Sequence, residues 1–319
     1  MECNILLVGL GNIGKRYLEG IVKVNFVRSI YIIEKKKTLI DKFKTNYADK
    51  YPSKKFFLTN SIEKISCSDF FVTFICTTAV KRYELLLSIK SKINSSFYII
   101  EKVLAQSEKE LMDIKKLFKN HAGAWISSPR RSMAWYKDIK NYVYEQKNLN
   151  FTVDGYNWGM ACNSIHFIDL VSWTTGEKIV DIDISGLNKL WIKSKRKGFW
   201  EITGVMKVIF SNQVSLTMKC KSDGLNVKSY NIFIINKNLS LEINEQEGLA
   251  KLNNCKKING SFLYLSNIIP EMIKNLFKNG DCDWIKLDES INMHQKLINS
   301  LTSHWNENSN HLSEVLPIT

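Results

Sequence analysis

In the first third of the chain, short apolar runs alternate with amphipathic stretches. The apolar runs predict strands at 4–10, 29–35, 54–59, 69–78 and 96–105. Helical periodicity predicts helices at 15–24, 38–51, 80–93 and 107–121. Strands that are apolar on both faces and separated by helices are typical of a parallel sheet covered on each side. The alternation therefore predicts an α/β domain over residues 1–125.

A glycine motif joins the first predicted strand to the first predicted helix. Gly9, Gly11 and Gly14 of "VGLGNIGKRYL" form the pattern G-x-G-x-x-G, with Asn12 and Ile13 between the last two glycines. Gly9 permits a tight turn, Gly11 allows close approach of a pyrophosphate, and Gly14 lets the helix pack on the strand. The motif predicts a dinucleotide site at the beginning of this helix.

Glu34 ends the second predicted strand, about 20 residues after the glycine motif, where a carboxylate can bind the ribose of a dinucleotide. A carboxylate accepts a hydrogen bond from the 2′-hydroxyl of NAD and repels the 2′-phosphate of NADP. Lys35–Lys37 follow directly and weaken that preference, because lysines can neutralise a phosphate. The sequence predicts NAD rather than NADP as the cofactor.

Polar residues end two further strands of the predicted parallel sheet. Thr77 and Thr78 follow one apolar run and can contact the nicotinamide ribose, or they can simply cap the next helix. Glu101 and Lys102 end another, so both belong at the carboxyl edge of the sheet, near the nicotinamide. A lysine there can hold a substrate oxygen or accept its proton.

After residue 125 the pattern changes. A short strand precedes a helix candidate at 131–143, and consecutive alternating strands fill about 179–250, which predicts an antiparallel meander. Two amphipathic helices are predicted at 261–280 and 286–305. The fold class is therefore α/β: an N-terminal Rossmann domain with a parallel sheet, then a C-terminal α+β domain (126–319) with an open-faced, mostly antiparallel sheet. The last helix can pack back on the Rossmann domain.

The stretch "GMACNSIHFIDLVSW" (159–173) is apolar on nearly every side, which is typical of a buried helix. Cys162, His166, Asp169 and Trp173 nevertheless fall on one face of it. A buried ionisable group costs free energy unless it is paired or used. We expect this face to be functional, although a histidine in a core helix can also be a satisfied structural residue.

Composition excludes several function classes. The net charge of +14 comes mainly from lysines spread along the chain, with small clusters at Lys35–Lys37 and 193–197, and only six of the 45 basic residues are arginine. No arginine forks or aromatic platforms form a patch, so we expect no nucleic-acid partner. The seven cysteines include no C-x-x-C pair, which argues against a metal site or a disulfide framework. No apolar run can span a bilayer and no signal peptide is evident, so we expect a cytoplasmic protein without a membrane partner.

Together, "GLGNIGKRYL", "VTFICTT", "IIEKVLA", "SSPRR" and "GMACNSIHFIDLVSWTTGE" resemble, in order and spacing, the Gfo/Idh/MocA family of oxidoreductases. The resemblance covers essentially the whole chain. It implies hydride transfer between NAD(P) and a hydroxyl or keto carbon of a sugar or sugar derivative, with surface-glycan biosynthesis as one context. Alternatives are a redox-neutral sugar enzyme that retains NAD, with a glycosidase-like reaction, and a non-catalytic protein that binds NAD and sugar.

The resemblance also implies roles for individual residues. Lys102 matches the family's lysine between substrate and nicotinamide, and His166 matches the histidine that exchanges the hydroxyl proton. Arg130 or Arg131 matches an arginine that faces the substrate. Asp169 matches the last aspartate of the helix motif and is expected at the substrate or in support of the helix.

Two positions depart from the family pattern. Val103 replaces the usual proline after Glu101–Lys102. Cys162 stands where the first aspartate of the helix motif is usual, with Asn163 beside it, so the pairing of a carboxylate with the histidine is in doubt. Cys162 and Asn163 are expected to contact substrate. A homodimer or homotetramer through the open face of the C-terminal sheet is also expected.

Overall fold

The computed structural model describes residues 3–43, 50–224, 227–309 and 312–319. The chain divides into two compact units. Unit 1 contains Met1–Ala105, Met112–Pro129 and Leu263–Asp288, and unit 2 contains Gln106–Leu111, Arg130–Phe262 and Glu289–Thr319. The division into domains 1–125 and 126–319 stays a prediction.

Strands and helices alternate in the first half of the chain, and strands predominate from Ile179 to Asn259. The strands are β1 (Cys3–Val8), β2 (Val27–Ile33), β3 (Lys55–Thr59), β4 (Asp69–Ile75), β5 (Asn94–Ile100), β6 (Ala124–Ile126), β7 (Asn150–Tyr156), β8 (Ile179–Leu187), β9 (Ile192–Lys193), β10 (Trp200–Glu201), β11 (Gly204–Phe210), β12 (Ser215–Lys221), β13 (Ser229–Ile235), β14 (Ser240–Asn244), β15 (Leu249–Leu252), β16 (Lys256–Asn259) and β17 (Ile285–Lys286). The helices are α1 (Asn12–Ile21), α2 (Lys37–Phe43), α3 (Arg82–Lys90), α4 (Glu108–Phe118), α5 (Ala134–Val143), α6 (Met160–Thr175), α7 (Leu265–Asn279) and α8 (Leu287–Asn308). Short 3₁₀-helices cover Ile62–Lys64 and Pro129–Ser132.

Unit 1 contains the predicted parallel sheet. In its described residues seven strands lie in the order β17-β6-β5-β4-β1-β2-β3, and only the β17–β6 pair is antiparallel. The last residues of β1 and β4 are almost fully buried, as expected for strands covered on both faces. All five strands predicted in the first third of the chain are present. Part of the predicted helix 38–51 forms α2, and residues 44–49 lie outside the described residues.

Helix α7 packs against α1 within unit 1. A Cβ on Gly20 of α1 would stand 2.7 Å from the Cβ of Ile269 of α7, so only glycine permits this approach. Pro270 lies inside α7 next to the same contact. This close packing holds α7 directly against α1.

Unit 2 contains a largely antiparallel sheet. Its described strands lie in the order β16-β15-β14-β13-β7-β12-β11-β8, and β7 and β12 pair in parallel. The prediction of consecutive meander strands was incomplete, because β7 lies between β12 and β13. The predicted run of strands over about 179–250 was also too continuous at residues 189–195, where only Ile192–Lys193 forms a strand, β9. Beyond it, Ser194 N–H donates to the carbonyl of Phe199 in the hairpin between β9 and β10.

One face of the unit 2 sheet packs on helices and the other is open. Leu216, Met218 and Cys220 of β12 are buried on the inner face, and α6 packs on this strand. The outer face mixes exposed apolar residues such as Ile209 with charges such as Asp154, which pairs with lysines of β12. Oligomerisation through this face stays a prediction. In the described part of the chain no helix is both long and apolar enough to cross a membrane.

We predict losses of stability of very different size for two glycine-to-alanine changes in the glycine turn. A Cβ on Gly14 would stand 2.0 Å from the carbonyl oxygen of Gly9, whereas a Cβ on Gly11 meets nothing within 4 Å. Gly14→Ala should lower the free energy of unfolding by about 3 kcal/mol or more, because α1 must move away from the strand. Gly11→Ala should cost only about 0.5 kcal/mol. Denaturant unfolding measures both, and equal losses would contradict this account.

Candidate active site

The glycine turn lies where β1 ends and α1 begins. Gly9 has a φ of +94°, a conformation that glycine adopts readily, and its N–H donates to the carbonyl of Ile33 at 2.8 Å. Gly11 is the N-cap of α1, and residues 12–15 include no acidic side chain. The first N–H groups of a helix lack intrahelical partners. The turn therefore offers backbone donors and an open approach to an anionic group such as a phosphate.

The carboxylate of Glu34 is fixed beside this turn. Its Oε2 accepts a hydrogen bond from the N–H of Leu10 at 2.7 Å, and its Oε1 accepts one from the N–H of Lys36 at 2.8 Å. Glu34 is buried, with 8% of its surface exposed, whereas Lys35–Lys37 are exposed. Each carboxylate oxygen can accept more than one hydrogen bond. Glu34 thus remains able to accept from a hydroxyl group at this edge.

Thr77 stands at the end of β4, against the glycine turn. A Cβ on Gly9 would be 3.2 Å from the backbone nitrogen of Thr77. The Oγ1 of Thr77 is buried and has no hydrogen-bond partner among the described residues. A buried hydroxyl without a partner costs free energy, so this atom is suited to a bound polar group.

Arg82 connects the ends of β4 and β5. It is completely buried, and its guanidinium donates to the backbone carbonyls of Thr77, Thr78 and Glu101. Three carbonyl acceptors on two strand ends hold both loops in one arrangement. Sequence reasoning missed Arg82, because an arginine in the first turn of a helix is usually solvated.

Glu101 and Lys102 lie at the end of β5, as predicted. Glu101 is 8% exposed, and its Oε1 accepts a hydrogen bond from the Tyr17 hydroxyl at 2.7 Å. Burial, and then the charge of Glu101, raise the pKa of both Tyr17 and Cys76 well above their ordinary values. Lys102 is half-buried and is joined to Val103 by a cis peptide bond.

Helix α6 carries the predicted histidine. It begins after Gly159 (φ +74°) and ends at Gly176 (φ +79°), both in the left-handed conformation that favours glycine. Cys162, Asn163 and His166 are half-buried on this otherwise largely buried helix. The amide of Asn163 donates to the carbonyl of Trp158 at 2.6 Å. These three side chains are therefore partly accessible on a helix that is otherwise largely buried.

Asp169 and Arg131 form a buried ion pair in unit 2. Nη2 of Arg131 lies 2.7 Å from Oδ1 of Asp169, and Nε of Arg131 donates to the same carboxylate. Burial raises the pKa of Asp169, and Arg131 offsets part of that rise. The pair ties the 3₁₀-helix at Pro129–Ser132 to the middle of α6, which explains the aspartate in a buried helix.

Arg130 belongs to a second buried cluster. Its Nε and Nη2 donate to the two oxygens of Glu245 at 2.6 and 2.9 Å, and its guanidinium lies 4.8 Å from the ring centre of Phe167. The hydroxyls of Tyr136 and Tyr230 donate to the same carboxylate. Burial opposes ionisation of Glu245, but Arg130 and the two tyrosines outweigh it and lower its pKa.

The predicted residues fall into one group in each unit. At the carboxyl edge of the unit 1 sheet lie Gly9, Gly11, Asn12, Ile13, Gly14, Glu34, Thr77, Thr78, Glu101 and Lys102. In unit 2, Cys162, Asn163, His166 and Asp169 lie on α6, whereas Arg130 and Arg131 lie in the 3₁₀-helix and bond to Glu245 and Asp169. Within the described ranges, no group of three or more His, Cys, Asp or Glu side chains could hold a metal ion.

This architecture is shared with solved dehydrogenase structures. No family model and no curated protein sequence matches the chain. Among solved structures, myo-inositol 2-dehydrogenase from Lactobacillus plantarum is 17% identical with a TM-score of 0.71, covering 96% of this chain and 98% of that one. The fold is that of the Gfo/Idh/MocA dehydrogenases.

Two other solved dehydrogenases share this Gfo/Idh/MocA fold. Scyllo-inositol dehydrogenase from Lactobacillus casei, with bound NAD(H) and scyllo-inositol, is 14% identical, with a TM-score of 0.70 and coverage of 97% of this chain and 98% of that one. UDP-N-acetylglucosamine 3-dehydrogenase GnnA from Acidithiobacillus ferrooxidans is 8% identical, with a TM-score of 0.71 and coverage of 94% and 96%. The predicted fold class is confirmed.

We predict that Glu245→Gln destabilises the protein by about 3 kcal/mol at neutral pH, because Arg130 is left buried without its counter-charge. The pKa of Glu245 is lowered in the folded protein. Its contribution to the free energy of unfolding is therefore fully present above the ordinary pKa of 4.5, and it is lost as pH falls through the pKa of the folded protein. The difference from the unsubstituted protein should therefore narrow on acidification.

Thermal and denaturant unfolding across acidic and neutral pH measure this effect. Glu242→Gln is a matched control on β14, the strand that ends directly before Glu245, because Glu242 forms an exposed pair with Lys251 at 3.8 Å. A loss from Glu245→Gln no larger than that from Glu242→Gln would contradict the assigned role.

Proposed function

We propose that this protein is an NAD(P)-dependent oxidoreductase that transfers hydride between the nicotinamide and a hydroxyl or keto carbon of a sugar or polyol derivative. The observation that carries the proposal is the glycine turn, together with Glu34 and Thr77, in a fold shared with sugar and polyol dehydrogenases. A solved structure with this fold holds both NAD(H) and scyllo-inositol. A role in surface-glycan biosynthesis stays a prediction.

The residues at the sheet edge fit a dinucleotide. Gly11 leaves open space for a pyrophosphate, the beginning of α1 supplies N–H donors, and Thr77 Oγ1 supplies a buried hydroxyl without a partner among the described residues. Glu34 would accept from the adenosine ribose. When bound, the nicotinamide supplies the hydride acceptor or donor. We propose Thr78, Glu101 and Lys102 as further contacts of this cofactor.

NAD is proposed in preference to NADP because of Glu34. Both of its oxygens are held by backbone N–H groups, so the carboxylate cannot move away from a 2′-phosphate without losing those bonds. The exposed side chains of Lys35–Lys37 can reduce this repulsion, but the Glu34 carboxylate is still present at the site. Repulsion by a fixed carboxylate therefore favours the unphosphorylated ribose.

We propose that His166 and Lys102 handle the proton of the substrate hydroxyl. A histidine changes protonation near neutral pH, and a lysine can hold the substrate oxygen. Cys162 and Asn163 are proposed to contact the substrate beside His166. Arg130, Arg131 and Asp169 were predicted to do so; that stays a prediction, and their ion pairs give them a structural task as well.

We predict that the protein binds NADH about tenfold or more tightly than NADPH, which corresponds to about 1.4 kcal/mol. Glu34→Gln should narrow this ratio, because the amide carries no charge. Titration of both cofactors by nicotinamide fluorescence measures the ratio. Tighter binding of NADPH by the unsubstituted protein would overturn the role of Glu34.

We predict that Lys102→Ala and His166→Ala each lower turnover by a factor of about 10² or more, while the Kd of NADH changes far less. A screen for reduced nicotinamide with free polyols, nucleotide-linked sugars and acidic sugars first identifies a substrate. Lys92→Ala, at an exposed lysine, is the control.

Each outcome of these turnover measurements separates the candidate functions. Unchanged turnover in both variants would refute the proton-handling roles. Product formation without accumulated NADH would favour a redox-neutral enzyme that retains its cofactor, and binding of NAD and sugar without any reaction would favour a non-catalytic protein.

A further inference from the structure

Helix α6 begins beside the carboxylate of Glu201. This residue ends β10, and its Oε2 accepts a hydrogen bond from the N–H of Ala161 at 2.8 Å. Its Oε1 lies 3.1 Å from the point where a Cβ on Gly159 would stand. A glycine before α6 thus makes room for the carboxylate. Both oxygens of Glu201 are placed at the first turn of the helix that carries His166.

The same space is bordered by the side chains of α6. The Sγ of Cys162 lies 3.4 Å, and the Nδ2 of Asn163 3.1 Å, from the position of the missing Gly159 Cβ. Cys162 and His166 are four residues apart, so they occupy one face of the helix. Helical side chains lean toward the N-terminus, over the preceding turn. His166 therefore leans toward the turn that holds Glu201.

We propose that Glu201 is a positioning residue for His166, and that its negative charge stabilises the imidazolium formed when His166 takes the substrate hydroxyl proton. The proton moves from the hydroxyl oxygen to an imidazole nitrogen as hydride leaves the carbon that bears this hydroxyl for the nicotinamide. Glu201 stays ionised throughout and acts through His166. This inference rests on the proposed function, in which His166 accepts that proton.

Other charged groups around α6 contribute less, because most of them are paired. On the helix itself Asp169 is balanced by Arg131, with Arg130 and Glu289 nearby, and Arg130 balances Glu245.

Groups from three other elements also lie around α6. From β12, Cys220 has a pKa raised by burial and further by Glu201. From β9, Lys193 is exposed and pairs in register with Trp200. From α5, Lys140 lies over the ring of Trp173.

The alternative is that Glu201 only caps the helix. A carboxylate at a helix N-terminus stabilises the helix through hydrogen bonding and the helix dipole, without any effect on catalysis. Glu201→Gln separates the two roles. The amide oxygen can still accept from Ala161 N–H, but the charge is gone.

The first test is an NMR titration of the His166 imidazole in the full-length protein without ligands, with the resonance assigned by its loss in His166→Asn. We expect Glu201→Gln to lower the pKa of His166 by about half a unit to one unit, because a nearby negative charge favours the imidazolium. Glu201→Asp keeps the charge and should remain close to the unsubstituted value. Glu177→Gln is the matched control, because Glu177 lies past the other end of α6 and bonds to Ser211 and Asn212.

An unchanged pKa in Glu201→Gln, or an equal drop in Glu201→Asp or Glu177→Gln, would overturn the inference. Thermal unfolding of each variant verifies that it folds. Because this titration needs neither cofactor nor turnover, its result is independent of the proposed function. A shifted pKa with no turnover on any substrate would refute the proposed function and leave the placement of Glu201 intact.

The second test uses a substrate found in the screen. Glu201→Gln should lower kcat about tenfold with little change in the Kd of NADH, and the acidic limb of the pH profile should move to lower pH, because the neutral imidazole is the base. Cys162→Asp introduced into Glu201→Gln returns a carboxylate one turn before His166. This second change should restore part of the kcat and move the acidic limb of the pH profile part of the way back. Loss of kcat without a shifted limb, or without rescue, would indicate a cap alone.

Discussion

The contact between Gly14 and the carbonyl of Gly9 is the constraint on which the proposed site depends. Because no side chain separates them, α1 begins directly against the end of β1, and its first N–H groups face the carboxyl edge of the sheet. The same edge receives the ends of β2, β4 and β5, since these strands are parallel. Backbone donors, the Glu34 carboxylate and the Thr77 hydroxyl are thereby gathered where a dinucleotide can lie.

Buried charges hold the two loops and the helix that carry the remaining residues. Arg82 donates to three carbonyls at the ends of β4 and β5, so the position of Glu101 and Lys102 follows from hydrogen bonds to the backbone. In unit 2, Arg131 pairs with Asp169 of α6, and Arg130 pairs with Glu245, the residue after β14. Removing one partner of a buried pair costs far more stability than removing one partner of an exposed pair. The buried arginines are thus needed to hold the loops and the helix that carry the proposed site residues.

Local pattern was sufficient for much of unit 1. Strands β1, β2, β4 and β5 each end in a largely apolar run, and the glycine motif fixes where α1 begins, so neighbouring residues carry that information. The partners of the arginines could not be predicted in this way, because Arg130 and Glu245 are 115 residues apart in the sequence. Strand β7 was missed because its insertion between β12 and β13 depends on long-range pairing. Glu201 was missed for the same reason: only the folded chain brings it to Ala161.

The most direct measurement is hydrogen–deuterium exchange of the backbone amides with and without NADH. The account predicts slower exchange at the glycine turn and the first turn of α1, residues 9–15, and around Glu34, because these amides lie at the bound pyrophosphate and ribose. Unchanged exchange at the glycine turn under saturating NADH, or protection confined to other parts of the chain, would contradict the account.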